Sequence, residues 1–389
     1  MARTPKPWLR KGRGWFVTIG DKQFNLGRDK KAAFQEFYRL MQRVPERRKV
    51  SGMSMAAIID EFLEYSAKNR APDTYRWYRD LLQKFIALHP DLRIEDIRPF
   101  HVQRWVDSYD HLSKTSRRNH MRSVKRCVKW AMTQGYIDRN PLEHLTIPSG
   151  ERKETLVSEE EYRRVLEYAR PDSLRDLLIT TWETGCRPQE SLRVEARHVD
   201  TTNRRWVIPA SEAKGERMTR IVYLTDTAFE ITLHLMTEYP EGPLFRTSVG
   251  TPWVAESVNC AMDRIRIRMG RVVMKQRKLS VSDAEIAEFA TTLSPTRMVK
   301  GALCDKTSAE LRYEAKVKLS NRLAASLVPR YSLYAFRHSF ATHALQRGVD
   351  SVTVAVLMGH SDPSMLAKVY QHLTQNPGFL LDQAKKIRA

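Results

Sequence analysis

Two arginines, a histidine and a tyrosine stand in an order that suits attack on a phosphodiester. Arg337 opens the stretch from Leu333 to Leu373, and Gly359-His360 follows, ten residues ahead of Tyr370. A second arginine lies far upstream in Thr184-Gly185-Cys186-Arg187-Pro188-Gln189-Glu190. A phenol that loses its proton is a usable nucleophile on phosphorus and yields a covalent phosphotyrosine. The transition state spreads negative charge over the non-bridging oxygens, and planar guanidinium groups can grip those oxygens in pairs. An imidazole can donate to the phosphate or move a proton. An unperturbed tyrosine titrates near pH ~10, and arginines beside it favour the phenolate. Taken singly these residues are ordinary, since one of 14 tyrosines is usually a half-buried aromatic. Their order and spacing together carry the signal.

Arg187, Arg337 in Tyr-Ala-Phe-Arg-His-Ser-Phe-Ala-Thr-His, the Gly359-His360 turn and Tyr370 resemble the signature of the tyrosine recombinases, or phage-type integrases. The resemblance covers roughly residues 150–389 and, more weakly, 53–148. It implies covalent, metal-independent DNA strand exchange with no cofactor. It also implies an α+β catalytic domain behind a helical, SAM-like core-binding domain, in a chain that is mainly α with small β elements. In the family a hairpin lysine protonates the departing 5′-oxygen, and Lys214 matches that position. The family further implies double-stranded DNA as partner, a homo-oligomer acting as a tetramer on paired sites, and accessory DNA-bending proteins as further partners.

Bulk composition agrees. Lys and Arg exceed Asp and Glu by 66 − 45 = 21, which calls for a polyanionic partner. Four cysteines are scattered with no Cys-x-x-Cys, which argues against a zinc site or a disulfide frame and fits a reducing cytoplasm. No apolar run of about 18 residues argues for a membrane span. The charge is uneven: residues 1–50 hold 14 basic against 4 acidic side chains, residues 262–330 hold 15 against 7, and residues 151–261 hold 15 against 19.

These elements must position the chemistry. In residues 1–50, Trp15, Val17 and Ile19 alternate ahead of a turn, and Ala33, Phe34, Phe37, Leu40 and Met41 recur at helical spacing. The expectation is a small β-sheet backed by a helix, similar to the arm-site-binding domain at the front of many phage integrases. A basic leader docked on the next domain is the alternative, and Pro45 to Lys49 reads as a linker. Residues 53–148 carry four amphipathic helical patterns. In the last, over about 114–134, Arg118, Arg122, Lys125 and Lys129 follow at steps of four, three and four and line one face. Between Ser113 and Trp130 there are seven Lys/Arg and no acid, so a DNA-phosphate partner is the reading preferred over a solvated face.

In the catalytic domain, residues 151–389, Ser158 and Glu161 form a capping box. Pro188 starts a helix with Arg187 at its N-terminus, where Glu190 could orient the arginine or simply pair with it. Strands at 206–208 and 221–224 make a hairpin with Lys214 near its tip. Asp350 caps a helix over 351–358, and Asp362-Pro363 caps the one that carries Tyr370. The chain departs from the family twice. A mainly helical insertion is expected over about 262–330. Tyr334 also stands where the family has the histidine of His-x-x-Arg; it can donate a hydrogen bond but is a poor base near neutral pH. These departures keep open a decayed recombinase that only binds DNA, and a type IB topoisomerase is a further alternative because it shares the nucleophile chemistry.

Overall fold

The computed structural model describes residues 6–10, 12–19, 22–42, 52–151, 155–213, 218–299 and 301–359. The chain is mainly helical with small sheets and divides into two compact units between Arg152 and Lys153.

The first unit begins with an antiparallel sheet of β1 (Trp8–Arg10), β2 (Gly14–Ile19) and β3 (Lys22–Gly27), in that spatial order. Alternation along β2 turns Val17 inward, and α1 (Lys30–Gln42) covers that face, so Val17, Leu26 and Ala33 form a small core. Four helices follow: α2 (Met55–Asn69), α3 (Pro72–Leu88), α4 (Pro99–Asp107) and α5 (Lys114–Gln134). Their starts are written in the sequence. Ser54 and Ser113 accept from the backbone N–H three residues on, and proline stands at the first turn of α3 and α4. Ile58, Phe62, Leu82, Phe85, Val102, Trp105, Val124 and Val128 close one shared core. The linker expected at 45–49 lies outside the described residues.

The second unit opens with α6 (Glu159–Tyr168), α7 (Asp172–Thr184) and the short α8 (Pro188–Arg193). The capping box at α6 is formed, with Ser158 and Glu161 satisfying each other's backbone N–H. A single helical turn at Ala196–His198 leads into an antiparallel sheet of β4 (Val199–Asp200), β5 (Arg205–Ile208) and β6 (Arg220–Tyr223). Then come α9 (Asp226–Glu238), α10 (Ala255–Gln276), α11 (Asp283–Thr291), β7 (Thr296–Val299), β8 (Ala302–Asp305), α12 (Ser308–Ser326), α13 (Leu333–Gln346) and α14 (Ser351–Met358). Leu174, Leu178, Trp206, Val222, Phe245, Ile265 and Phe336 join these elements in one core.

The stretch 262–330, expected as a mainly helical insertion, differs in local structure from that expectation in two respects. Its first residues belong to α10, which buries Met262, Ile265 and Met269 in the main core. A β-hairpin, β7 paired with β8, also stands between α11 and α12. Four-residue strands such as Thr296-Arg297-Met298-Val299 are too short for period-two alternation to stand out. Helix α12 is locked to α10 at Gly270, where an added Cβ would fall 2.0 Å from the Ala324 carbonyl oxygen.

Candidate active site and DNA interface

Arg337 is held from both sides. Ser332 caps α13 by accepting from the Ala335 N–H at 3.1 Å. Phe336, fully buried, stands edge-on to Tyr162 and Trp182, which stack on each other with centroids 4.2 Å apart. This aromatic lock fixes the helix and turns the next side chain, Arg337, toward α7 and α14. Arg337 as a whole is 2 % exposed. Its guanidinium Nη1 donates to the Gly185 carbonyl and its Nη2 to the Met358 carbonyl, both at 2.7 Å. Gly185 ends α7 in the left-handed region, φ +59, and an added Cβ there would meet the Phe340 ring at 2.3 Å.

Arg187 sits just ahead of Pro188, as the N-cap of α8. Glu190, one turn on, accepts from the Arg187 backbone N–H at 2.9 Å and from its Nη1 at 2.7 Å. Arg187 Nη2 then reaches the Gly359 carbonyl at 2.6 Å. A third arginine, Arg220 at the start of β6, donates from Nη2 to the Leu357 carbonyl at 2.9 Å and from Nε to Glu190 at 3.2 Å.

Three successive carbonyls at the end of α14, those of Leu357, Met358 and Gly359, are therefore met by Arg220, Arg337 and Arg187 in turn. A helix C-terminus leaves its last carbonyls without helical partners and carries partial negative charge. The guanidiniums satisfy it and bring positive charge together immediately before His360. The electrostatics follow. Burial, and then the Arg187 charge, pull Arg337 down to about 10. Burial pushes the Glu190 carboxyl up, but Arg220 and the hydrogen bonds from Arg187 outweigh it and hold the group below its ordinary range. Among the described residues no cluster of three or more His, Cys, Asp or Glu could hold a metal ion.

Of the residues singled out from sequence, Arg187 and Arg337 come together here. Tyr334 lies one turn ahead of Arg337 but is 55 % exposed, with its ring edge-on to His338 at 4.9 Å. Lys214, His360, Tyr370 and the Asp362-Pro363 cap lie outside the described residues. Arg220 was not singled out. The alternation of β6 carries its signal, because Arg220 and Val222 share the buried face while Ile221 and Tyr223 turn outward.

In the first unit an open cleft of about 780 Å³ runs beside α5. Arg122, Lys125 and Lys129 line it, joined by Arg70, Arg126, Asn119, Trp77 and Tyr78, and none of its described lining residues is acidic. Lys125 also donates to the Glu143 and Leu145 carbonyls, each at 3.0 Å, so it ties down the following loop as well. Arg118 is not part of this lining and instead approaches Gly150. Cations interleaved with aromatic faces make a surface that suits nucleic acid.

Residues 300–376 match the phage integrase family, and residues 59–135 match the phage integrase N-terminal SAM-like domain. The chain belongs to the tyrosine recombinase, or phage-type integrase, family. The recombinase is 24 % identical over 316 residues to a XerC-like tyrosine recombinase of Caldanaerobacter subterraneus, covering 78 % of this chain and 75 % of that one. It is 29 % identical over 140 residues to tyrosine recombinase XerD of Staphylococcus aureus, covering 32 % of this chain and 46 % of that one. In fold it is similar to lambda integrase in a dimer bound to a core site, with a TM-score of 0.55, 14 % identity and 95 % of each chain covered. It is also similar to the Tn1549 transposon integrase in complex with transposon right end DNA, with a TM-score of 0.53, 14 % identity, and 82 % of this chain and 95 % of that one covered. At such identities the structural likeness speaks for the fold, and the sequence matches carry the membership. No helix among the described residues is long and apolar enough to cross a membrane.

Proposed function

We propose that this recombinase cuts and rejoins double-stranded DNA at specific sites, as the integrase of a phage or other mobile element. Tyr370 attacks the scissile phosphate. The P–O5′ bond breaks as the bond to the phenolic oxygen forms, leaving a 3′-phosphotyrosine. Lys214 gives the departing 5′-oxygen its proton. Arg187, Arg337 and His360 hold the non-bridging oxygens, and Tyr334 stands in the slot of the family's histidine as a hydrogen-bond donor. A 5′-hydroxyl from the partner strand then attacks the phosphotyrosine and restores a phosphodiester. The covalent link keeps the bond energy, so rejoining needs no nucleotide.

The observation that carries this reading is the meeting of Arg187 and Arg337 at the end of α14, directly ahead of His360. Arg122, Arg126 and Lys129, with Arg118 and Lys125 beside them, grip phosphates along the duplex, and the amino-terminal sheet and helix read a second, arm-type site. One of the similar solved structures is a lambda integrase tetramer bound to a Holliday junction. That supports an oligomer of this chain, a tetramer on paired DNA sites, and DNA-bending accessory proteins complete the proposed assembly. The test is exchange between two duplexes that carry sequences flanking its gene, with chelator present and no nucleotide. Recombinant joints support the reading, and relaxation of supercoils without joined products contradicts it.

A further inference from the structure

Arg220 is the residue that the chemistry above leaves unexplained. It begins β6 opposite Ile208, in the hairpin whose loop contains Lys214, yet only 6 % of it is exposed. Burying a guanidinium is costly, and an apolar side chain of similar length would serve packing at least as well. Its donors are all directed. Nη1 goes to the Ile221 carbonyl, Nε to Glu190 Oε2 and Nη2 to the Leu357 carbonyl. Glu190 Oε2 is the same oxygen that accepts the Arg187 backbone N–H, while Oε1 accepts the Arg187 side chain. Gly359 fits against the arginine's other flank. Its φ is +64, and an added Cβ would lie 2.7 Å from Arg220 Nε and 2.8 Å from Cζ. The segment that leads into His360 can therefore lie on this guanidinium only with glycine at 359.

We propose that Arg220 is a positioning residue for the phosphate grip, aiming Arg187 through Glu190 and fixing the end of α14 through the Leu357 carbonyl. The proposal rests on the recombinase reading above. In this role Arg220 acts through Glu190 and the Leu357 carbonyl rather than on the phosphate itself. It sets where Arg187 and the peptide ahead of His360 stand, and it does so from the strand that also enters the Lys214 loop. A displacement of about 1 Å in such a site can cost on the order of a hundredfold in rate.

The experiment measures single-turnover cleavage of a nicked suicide duplex together with DNA affinity, for wild type, Arg220→Met, Arg220→Lys and Lys214→Ala. Arg220→Met should cleave about tenfold to a hundredfold more slowly at unchanged affinity. Arg220→Lys, which keeps the charge but loses the fork, should recover part of the rate. A substrate with a 5′-thio leaving group needs no general acid, so it should relieve Lys214→Ala and leave the Arg220→Met defect in place. Crystal structures of wild type and Arg220→Met add a readout that does not depend on turnover. The contacts from Arg187 to Gly359 and from Glu190 to Arg187 should be lost or re-formed with other partners. Wild-type rates in Arg220→Met, relief of its defect by the thio substrate, or undisturbed Arg187 contacts would each overturn the proposal. If Arg220→Met does not fold, Arg220→Lys decides by the same criteria. Absence of any adduct with wild type would sink the recombinase reading instead, and the crystal structures would still report on Arg220.

Discussion

Arg187 and Arg337 lie 150 residues apart in sequence, and their Nη2 atoms donate to adjacent peptide carbonyls, Gly359 at 2.6 Å and Met358 at 2.7 Å. One stretch of backbone thus registers both guanidiniums against each other. Lysine at either position keeps a charge but cannot make the forked contact. Arg187→Lys and Arg337→Lys should each lower single-turnover cleavage by about 10²–10³-fold, the usual cost of removing a transition-state donor. DNA affinity, measured in parallel at fixed salt, should change little.

Glu190 should make stability depend on acid. Its carboxyl is held below its ordinary value of 4.5 in the folded chain, against burial, by Arg220 and Arg187. In that window the unfolded chain binds more protons than the folded one, so stability rises with pH. The contribution is in full above the ordinary value and is lost as pH falls through the folded one. Melting curves of wild type should therefore drop steeply below about pH 4.5, whereas Glu190→Gln should show a shallower acid limb. At neutral pH the same variant should be less stable by on the order of 3–5 kcal/mol, because Arg220 is left buried beside a neutral partner.

Phe336 links the core to the chemistry. It is fully buried and edge-on to the stacked Tyr162 and Trp182, one residue before Arg337. Phe336→Ala should cost about 3–5 kcal/mol, read from denaturant midpoints. Phe336→Leu should lose less stability and retain cleavage, since α13 keeps its seat.

The cleft beside α5 should speak through salt. Arg122, Arg126 and Lys129 line it with no acidic neighbour among the described lining residues. Each alanine substitution should weaken binding on all sequences alike and reduce the slope of log affinity against log salt by about 0.9. Lys125→Ala should differ, with a lower melting temperature as well, because that side chain also holds the Glu143 and Leu145 carbonyls.

Much of this was legible in the sequence because it is local. Ser113 and Gly135 bound α5, Ser158 with Glu161 starts α6, Pro188 places Arg187, and Asp350 starts α14, each through a residue within a turn of the boundary. Arg187 and Arg337 were found as motif residues, but not why they meet. The carbonyls that join them come from residues 358 and 359, and hydrogen bonds from side chain to distant backbone leave no periodic trace. Arg220 was passed over although the alternation of β6 marks it, since an arginine at a strand end usually faces water. The β7–β8 hairpin was missed because its strands are short and mostly exposed. The exposure of Tyr334 could not be read from its place in the motif, because one turn of helix separates it from a buried arginine.

The most direct measurement is capture of the covalent intermediate. A duplex nicked close to the cleavage point releases a short fragment and traps the enzyme on DNA. Wild type should give a protein–DNA adduct that survives denaturant and chelator, with the DNA attached at Tyr370 by peptide mapping, and Tyr370→Phe should give none. An adduct of equal yield with Tyr370→Phe, or no adduct with wild type on a site it demonstrably binds, would contradict the account.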